Sequence, residues 1–126
     1  MHCMYDKTLI IELLNQIDEA IQKVERRFVG ISSPDDFTKS DDGSDRLDAI
    51  AMMLIAIGEN IKNIDKISGK TILQKHPEIH WPGVKGVRDI LAHDYFNIDP
   101  EEIFTICAKD LTLLKTTIES IRKRFQ

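Results

Sequence analysis

The segment from Leu47 to Ile64 constrains the fold most, because its large apolar residues recur at alternating three- and four-residue steps. This spacing is typical of a helix that packs along its length against neighbouring helices. Further apolar side chains, such as Met52 and Ile55, lie outside that seam, and one helix face in a small bundle cannot bury them all. We therefore expect this helix to be central in the fold, or to pack its second face on another subunit. We favour the subunit interface, and the helix can also be central in the fold at the same time.

Three further segments have helical periodicity, and cap and turn residues mark where each helix begins and ends. The predicted helices run from about Lys7 to Phe28, from Ser44 or Asp45 to about Ile67, from near Pro82 onward, and from Pro100 to about Phe125. Asp99 is the predicted cap of the last helix, and Ser33-Pro34 is typical of the cap of a short helical turn. No stretch alternates convincingly with period two. The predicted fold class is therefore all-α, an up-and-down bundle of four to five helices.

The stretch 35–48 is rich in aspartate and dominates the charge of the chain. It holds six Asp against Lys39 and Arg46, which accounts for the whole net charge of −4. Outside it, 15 basic residues balance 15 acidic ones, so a local basic surface for nucleic acid is compatible with the sequence but not required by it. We predict a solvated connector here, because the ordered spacing of a calcium-binding loop is missing.

At 126 residues the chain has the length of one domain, and residues 1–126 are predicted to form a single helical domain. A hydrophobic fraction of 42% and a charged fraction of 30% are ordinary for a globular protein. The longest apolar run, 47–57, is too short to span a bilayer, and the N-terminus lacks the pattern of a signal peptide. We therefore expect a cytoplasmic protein without membrane contact.

The cysteines and one histidine pair do not have the spacing of a metal site. Cys107 falls on the apolar face of the last helix and is predicted to be a small buried residue, while Cys3 is predicted to stay reduced at the terminus. His76 and His80 are four residues apart, but Pro77 between them breaks a helix, so we assign them to a loop. No cofactor and no metal ion are expected.

Residues 81–98 carry the polar groups that point to function. They read W-P-G-V-K-G-V-R-D-I-L-A-H-D-Y-F-N-I, with Arg88, His93 and Tyr95 inside eight residues of an apolar helical pattern whose buried face should include Ile90. On an ideal helix His93 lies roughly 140° round from Arg88, so the polar groups do not converge. Either the helix ends near His93, or the long Arg88 side chain reaches around, or a second copy of the chain completes the site. We favour the last two together.

The pattern Arg88-x4-His93-x-Tyr95 resembles the motif of HepT-type HEPN proteins, the toxin half of the HepT/MntA type VII toxin–antitoxin pairs. The likeness covers roughly Lys7 to Phe125. Its other elements are Trp81, Gly86, Asp89, Phe96, the Ile98-Asp99 step, the Asp110-Leu111-x-x-Leu114 run and the Gly58-Glu59 pair. The resemblance implies a bundle of HEPN type that forms a twofold dimer. It also implies a metal-independent endoribonuclease.

The residue types of the motif suit the cleavage of RNA. A ribose 2′-hydroxyl can attack the adjacent phosphorus if one group removes its proton and another protonates the leaving oxygen. Histidine, with an ordinary pKa of about 6.5, can perform either step, and an arginine fork matches phosphate oxygens. We expect Arg88 and His93 from both subunits to form one composite catalytic site, with Asp89 orienting the His93 ring. Glu59 is open between a surface charge and a supporting group.

The resemblance also implies a partner, a minimal nucleotidyltransferase antitoxin of the MntA type that attaches adenylate to the Tyr95 hydroxyl. A phosphodiester at Tyr95 would place bulk and negative charge beside Arg88 and His93, which would inhibit RNA binding. This adenylylation of Tyr95 is therefore a chemically reasonable way to silence the enzyme.

Without the resemblance, structural explanations come first. His93 would be a helix-end histidine, Arg88 would pair with Asp89 or Glu59, and Tyr95 and Phe96 would be core aromatics. Trp81 is predicted to be a core aromatic in either case. The competing function is a non-catalytic module that presents nucleotide or substrate to a nucleotidyltransferase. A purely structural helical adaptor leaves the polar motif unexplained.

Overall fold

The computed structural model describes residues 6–125, and within this range the chain folds into helices and turns without a β-strand. The long helices are α1 (Lys7–Phe28), α2 (Asp41–Ile67) and α3 (Trp81–His93), followed by α4 (Pro100–Thr105), a π-helical segment (Ile106–Asp110) and α5 (Leu111–Lys123). The last three are continuous, and we call them together the C-terminal helix. Short 3₁₀ turns lie at Pro34–Phe37, Leu73–Lys75 and Tyr95–Asn97. The predicted all-α bundle is confirmed.

The core lies where α1, α2 and the C-terminal helix pack side by side. The predicted apolar stripes of these helices are the buried ones, and side chains such as Ile17, Ile50 and Ile118 have no exposed surface. Burial of each such side chain contributes about 1.5–3 kcal/mol, so these stripes, rather than helix propensity, hold the bundle together. The short turn predicted after Ser33 is present, with Phe37 buried under the bundle.

Helix α2 begins one turn earlier than predicted, so the expectation of a solvated connector up to residue 44 was wrong. Ser40 is the N-cap, and its hydroxyl accepts a hydrogen bond from the Gly43 N–H at 3.0 Å. Asp41 and Asp42 occupy the first turn, where the positive end of the helix dipole favours carboxylates. A Cβ at Gly43 would collide with the Asp36 carbonyl, so the glycine lets the helix start against the preceding turn.

Helix α3 runs antiparallel to α2 and packs mainly on it. The break at Ser68-Gly69-Lys70 is confirmed, with Gly69 and Lys70 both in the left-handed region at φ 61° and 65°. Two contacts then fix the start of α3. The Trp81 indole N–H donates to the His76 carbonyl at 3.0 Å, and Lys85 Nζ lies 2.6 Å from Asp65 Oδ2. The predicted start near Pro82 is confirmed, since proline occupies the first turn.

The C-terminal helix begins as predicted, with the Asp99 carboxylate accepting from the Glu101 N–H at 3.0 Å. Its π-helical segment was not predicted. Cys107 lies in that segment and is buried, as expected, and burial raises the pKa of its thiol to about 12. The expectation for Cys3 lies outside the described residues. None of the helices within 6–125 combines the length and the apolar character that crossing a membrane requires.

His76 and His80 lie in different environments. His76 is buried, with Nδ1 3.4 Å from a Glu78 carboxylate oxygen and Nε2 3.1 Å from Arg124 Nη1. His80 is exposed at the N-cap of α3. The assignment of both to a connecting segment rather than to one helix is confirmed.

Candidate active site

Helix α3 ends at His93, which decides between the geometries considered for the motif. The Asp94 N–H still donates to the Ile90 carbonyl at 2.9 Å, but the Asp94 backbone has left the helical region at φ −137° and ψ 56°. Tyr95 therefore lies in a separate 3₁₀ turn and not two helical turns from Arg88. The idea that Arg88 reaches around the helix towards His93 was wrong, because its guanidinium contacts acidic groups on α2 and α3 instead.

The aliphatic part of Arg88 rests on α2 at Gly58. A Cβ added at residue 58 would overlap the Arg88 Cβ and lie 3.0 Å from its Cγ. Only glycine leaves enough room here, so Gly58 allows α2 and α3 to approach closely.

Arg88 is held by two carboxylates. Its Nη2 lies 2.8 Å from Glu59 Oε2, and its Nη1 lies 3.1 Å from Asp89 Oδ1. Glu59 Oε2 and Arg88 Nε are buried and have no hydrogen-bond partner within residues 6–125, so the Glu59 contact is a close ion pair without hydrogen-bond alignment. Lys62 Nζ approaches the same Asp89 oxygen at 3.4 Å, so the two positive and two negative charges cancel. Glu59 is therefore a partner of Arg88 and not an isolated surface charge.

The pKa of Asp89 lies below its ordinary value for reasons visible in this cluster. The hydrogen bond from Arg88 lowers the pKa most, partial burial opposes this, and the charge of Lys62 lowers it further. The Asp89 carboxylate is thus ionised at neutral pH and is committed to Arg88 and Lys62.

His93 is exposed and is oriented by the main chain. Its Nδ1 lies 2.8 Å from the backbone carbonyl oxygen of Asp89. Because a carbonyl oxygen only accepts hydrogen bonds, Nδ1 carries the proton and Nε2 is the nitrogen left to exchange a proton with a ligand. Asp89 thus contacts His93 through its backbone carbonyl. Its side chain, which was expected to orient the His93 ring, faces Arg88 and Lys62.

Tyr95 and Phe96 are surface residues, so their alternative assignment as core aromatics was wrong. Phe96 is 98% exposed and Tyr95 42% exposed, and the two rings meet edge to face with centroids 6.0 Å apart. Partial burial raises the pKa of the Tyr95 hydroxyl, and the carboxylate of Asp48, which accepts a hydrogen bond from it, raises it further. Trp81, in contrast, is buried as predicted.

Three exposed apolar side chains lie in the motif segment or on the part of α2 next to it. Ile90 is 58% exposed, although the sequence pattern placed it on the buried face of α3. Met52 is 63% exposed on the neighbouring face of α2, where the sequence has its excess of apolar residues. Together with Phe96, these side chains form what we call the motif-side apolar surface, defined by Met52, Ile90 and Phe96.

The sequence interpretation missed two residues of the site, Asp48 and Lys62. Both lie on one stripe of α2 that also holds Met52, Ile55 and Glu59, at three- and four-residue steps. This stripe runs beside the motif because α3 is antiparallel to α2. The spacing from Glu59 was the available signal, since residues three apart share a helix face.

A helical bundle whose third helix ends on an Arg-x4-His motif is a bundle of HEPN type. The chain belongs to the HepT-like family, since the family model described as "Ribonuclease HepT-like" matches residues 17–121. The resemblance seen in the sequence is thereby confirmed.

Similar curated proteins agree with this family. A Thermococcus cleftensis protein named "Probable ribonuclease HepT" is 35% identical over 75 residues, which covers 60% of this chain and 64% of that protein. A Caldanaerobacter subterraneus subsp. tengcongensis protein named "Putative RNase" is 30% identical over 76 residues, with the same coverage of 60% and 64%. The match thus spans less than two thirds of the length of these relatives. No solved structure matches the chain significantly.

Proposed function

We propose that this protein is a metal-independent endoribonuclease and the toxin of a toxin–antitoxin pair, with Arg88 and His93 as catalytic residues. The observation that carries the proposal is the state of His93, whose Nδ1 is fixed by a main-chain carbonyl at 2.8 Å while its ring is exposed at the end of the helix that also carries Arg88. Family membership and the relatives named as ribonucleases support the same activity.

The reaction needs one group that accepts a proton and one that donates it. His93 Nε2 takes the proton of the ribose 2′-hydroxyl, the 2′-oxygen bonds to phosphorus, and the bond from phosphorus to the 5′-oxygen breaks. A second imidazolium protonates that leaving oxygen, which gives a 2′,3′-cyclic phosphate and a free 5′-hydroxyl. Arg88 neutralises the charge that develops on the two non-bridging oxygens. One chain supplies one His93, so both roles require two copies.

A twofold dimer built on the motif-side apolar surface would meet this requirement. Met52, Ile90 and Phe96 are exposed next to the motif, and burying them against a second copy is favourable because their apolar area leaves water. In such a dimer a phosphate must compete with Glu59 and Asp89 for the Arg88 fork. Arginine has five N–H donors, so it can bind an anion while keeping one of its carboxylate partners.

The same proposal includes regulation at Tyr95 by a nucleotidyltransferase antitoxin of the MntA type. The Tyr95 hydroxyl is accessible and its pKa is raised, so it is a neutral hydroxyl that needs a base, such as Asp48, to become a nucleophile. Coexpression with the antitoxin tests this. Tyr95→Phe should remain toxic in the presence of the antitoxin, and silencing that persists in this variant would refute regulation through Tyr95.

Cleavage of a labelled RNA by the purified protein, with and without a chelator, tests the activity itself. Wild type should cleave equally in both, and Arg88→Ala and His93→Ala should each lose about 10²–10⁴-fold in rate. Matched controls are His80→Ala and Arg26→Ala, which remove an exposed histidine and an exposed arginine elsewhere. Activity that survives in the motif variants, or that disappears with the chelator, would contradict the proposal.

Mixed dimers test whether the site is shared between subunits. Dimers with one His93→Ala subunit and one wild-type subunit should lose most of the activity, since the two proton transfers need both imidazoles. Mixed dimers that retain near half of the wild-type rate would show two independent sites.

The non-catalytic alternative is supported by one observation. Arg88 is already neutralised by Glu59 and Asp89, and the charges outside 35–48 are balanced, so the site has no excess of positive charge for RNA. A protein that presents nucleotide to a nucleotidyltransferase would need only this modest anion affinity. The cleavage assay separates the two functions, because such a module would bind nucleotide without cutting RNA under any of the conditions above.

A further inference from the structure

A second concave surface lies on the side of α3 that faces away from the motif. Helix α3 packs mainly on α2, which leaves a groove of about 770 Å³ between α3 and the C-terminal helix. Its floor is apolar and is formed by three helices, through Leu54, Ile57, Val84, Val87, Leu111 and Leu114. Arg88, His93 and Tyr95 do not line it, so it is separate from the candidate active site.

The rim of this groove is strongly acidic. The carboxylates on it are Glu78, Asp99, Glu101, Glu102 and Asp110, against Lys109 and His80 as the basic groups. Within residues 6–125, Glu78 is the one member of this set with an ion pair, to His76, and the other four carboxylates have none. Four carboxylates without an ion pair around an apolar floor create a local potential that repels phosphates and attracts cationic groups. The groove is therefore unsuited to RNA.

The π-helical segment runs along the same groove. Ile106, Lys109 and Asp110 belong to it, and all three side chains line the groove. A π segment gives up the regular hydrogen bonding of an α-helix and is frequent at functional sites. Its position here is a second observation, independent of charge, that marks this face of the C-terminal helix.

Two arginines near the end of the last helix have contacts elsewhere. Arg122 pairs with Asp18 at 3.3 Å, and Arg124 contacts His76 at 3.1 Å. Neither is free to cover the acidic rim of its own or of another copy without giving up these contacts. We therefore look for the counter-charge on a partner polypeptide rather than on these two arginines.

We propose that this groove docks a basic amphipathic helix of a partner protein. Apolar side chains at three- and four-residue steps would fill the floor between α3 and α5, and flanking Lys or Arg residues would meet the carboxylates at positions 99, 101, 102 and 110. An amphipathic helix laid in an apolar groove is a common mode of recognition, and charge complementarity at the rim sets which partner binds. The volume falls within the range of about 300–1,000 Å³ typical of ligand sites.

Binding of a defined peptide tests the proposal. The probe is a fluorescein-labelled helical peptide of about 15 residues with Leu at three- and four-residue steps and Lys elsewhere, at near-physiological salt so that distant charges are screened. Two control peptides replace Lys by Glu or Leu by Gln. The protein variants are Glu101→Gln/Glu102→Gln for the rim and Leu113→Gln for the apolar lining, where Leu113 is 47% exposed and safe to change.

Matched variants carry the same chemical change away from the groove. Asp41→Asn/Asp42→Asn alters an acidic pair in the first turn of α2, as residues 101 and 102 are in the first turn of α4. Leu9→Gln alters a leucine of similar exposure, 38%, on α1. Both groove variants should weaken binding of the Leu/Lys peptide by about tenfold or more, and both matched variants should stay within about twofold of wild type.

Each other outcome overturns the proposal. Equal weakening by the two acidic pairs, or equal binding of the Gln-for-Leu peptide, would show non-specific charge attraction. Absence of binding would show that the groove takes no basic helix. If Leu113→Gln changed self-association of the protein without any peptide, the occupant would be a second copy of this chain. Displacement of the peptide from the groove by an RNA oligonucleotide would assign the surface to nucleic acid.

Discussion

Arg88 lies where it does because residue 58 has no side chain and residue 59 is an acid. The aliphatic part of Arg88 packs against Gly58 on α2, and Glu59 Oε2 lies 2.8 Å from its guanidinium. The pair thus positions one side chain of the proposed catalytic site without contact to the reacting atoms. Gly86, on α3 itself, has open space where a Cβ would lie, with no other group within 4 Å, and serves as a natural comparison.

Substituting these two glycines should have opposite effects. Gly86→Ala should raise the free energy of unfolding by about 0.5–1 kcal/mol, since alanine is the better helix former. Gly58→Ala must displace Arg88 or separate the two helices, so it should be less stable than Gly86→Ala by about 1–3 kcal/mol. Urea unfolding measures both. Equal stabilisation by the two substitutions would contradict the tight contact at Gly58.

The ionisation of Tyr95 should respond to Asp48. Asp48→Asn removes a negative charge that opposes formation of the phenolate, so the pKa of Tyr95 should fall towards its ordinary value of 10.0. Ultraviolet absorbance during an alkaline titration reports this pKa, in a Tyr5→Phe background so that only Tyr95 contributes. Burial also raises this pKa and remains in the variant, so the return should be partial. An unchanged titration would mean that Asp48 does not face the hydroxyl.

At the scale of helices, boundaries depend on single capping groups. Ser40 and not Ser44 begins α2, because an extended residue with a hydroxyl is placed to accept the Gly43 N–H. Both serines are possible N-caps in the sequence, and the aspartates next to each of them suit either start of the helix.

Removing the two serine hydroxyls in turn tests this boundary. Ser40→Ala should lower the free energy of unfolding by about 1 kcal/mol, through loss of the cap. Ser44→Ala should be neutral or slightly stabilising, because residue 44 is exposed inside the helix and alanine suits that position. Thermal unfolding monitored by circular dichroism compares them. A larger loss of stability in Ser44→Ala than in Ser40→Ala would indicate that α2 begins at Ser44 instead.

The sequence predicted the elements that repeat a pattern and missed those that depend on one contact. The stripes on α1 and α5 extend over many residues, so their helices and buried faces followed from periodicity alone. Ile90 fits the same pattern but is exposed, because none of the helices in the described part of the chain covers that side of α3. The motif predicted Arg88 and His93 as candidate site residues from the sequence alone. The contacts of Glu59 and Lys62 with the motif could be seen only once α3 was packed on α2. The π-helical segment has no periodic signature that distinguishes it from the helix on either side.

For the whole molecule, the central question is how the motif-side apolar surface is covered. Met52, Ile90 and Phe96 lie on the side of the bundle where α3 ends and project into solvent. Their placement agrees with the excess of apolar residues in the α2 sequence. A second copy that covers this surface would bring the two motifs together.

Placing a charge on this surface should separate the subunits without unfolding them. Phe96→Lys should weaken self-association by at least about tenfold, or about 1.4 kcal/mol, since a charge cannot be buried without a partner. Val29→Lys is the matched control, because Val29 is 70% exposed just past the end of α1 and does not belong to the motif-side apolar surface. Sedimentation velocity gives the mass of each, and circular dichroism verifies the fold. Unchanged association of Phe96→Lys would place the subunit contact elsewhere.

The anchors of α3 end at Leu91, two residues before the helix ends, and this has a consequence for its last residues. Trp81 and Lys85 tie the start of the helix to the bundle, Leu91 is the last buried residue, and 92–97 are all exposed. The segment that bears His93 and Tyr95 therefore adds little to the stability of the scaffold. Substitutions there should change the free energy of unfolding little, so a loss of activity on changing His93 can be attributed to lost chemistry rather than to a lost fold.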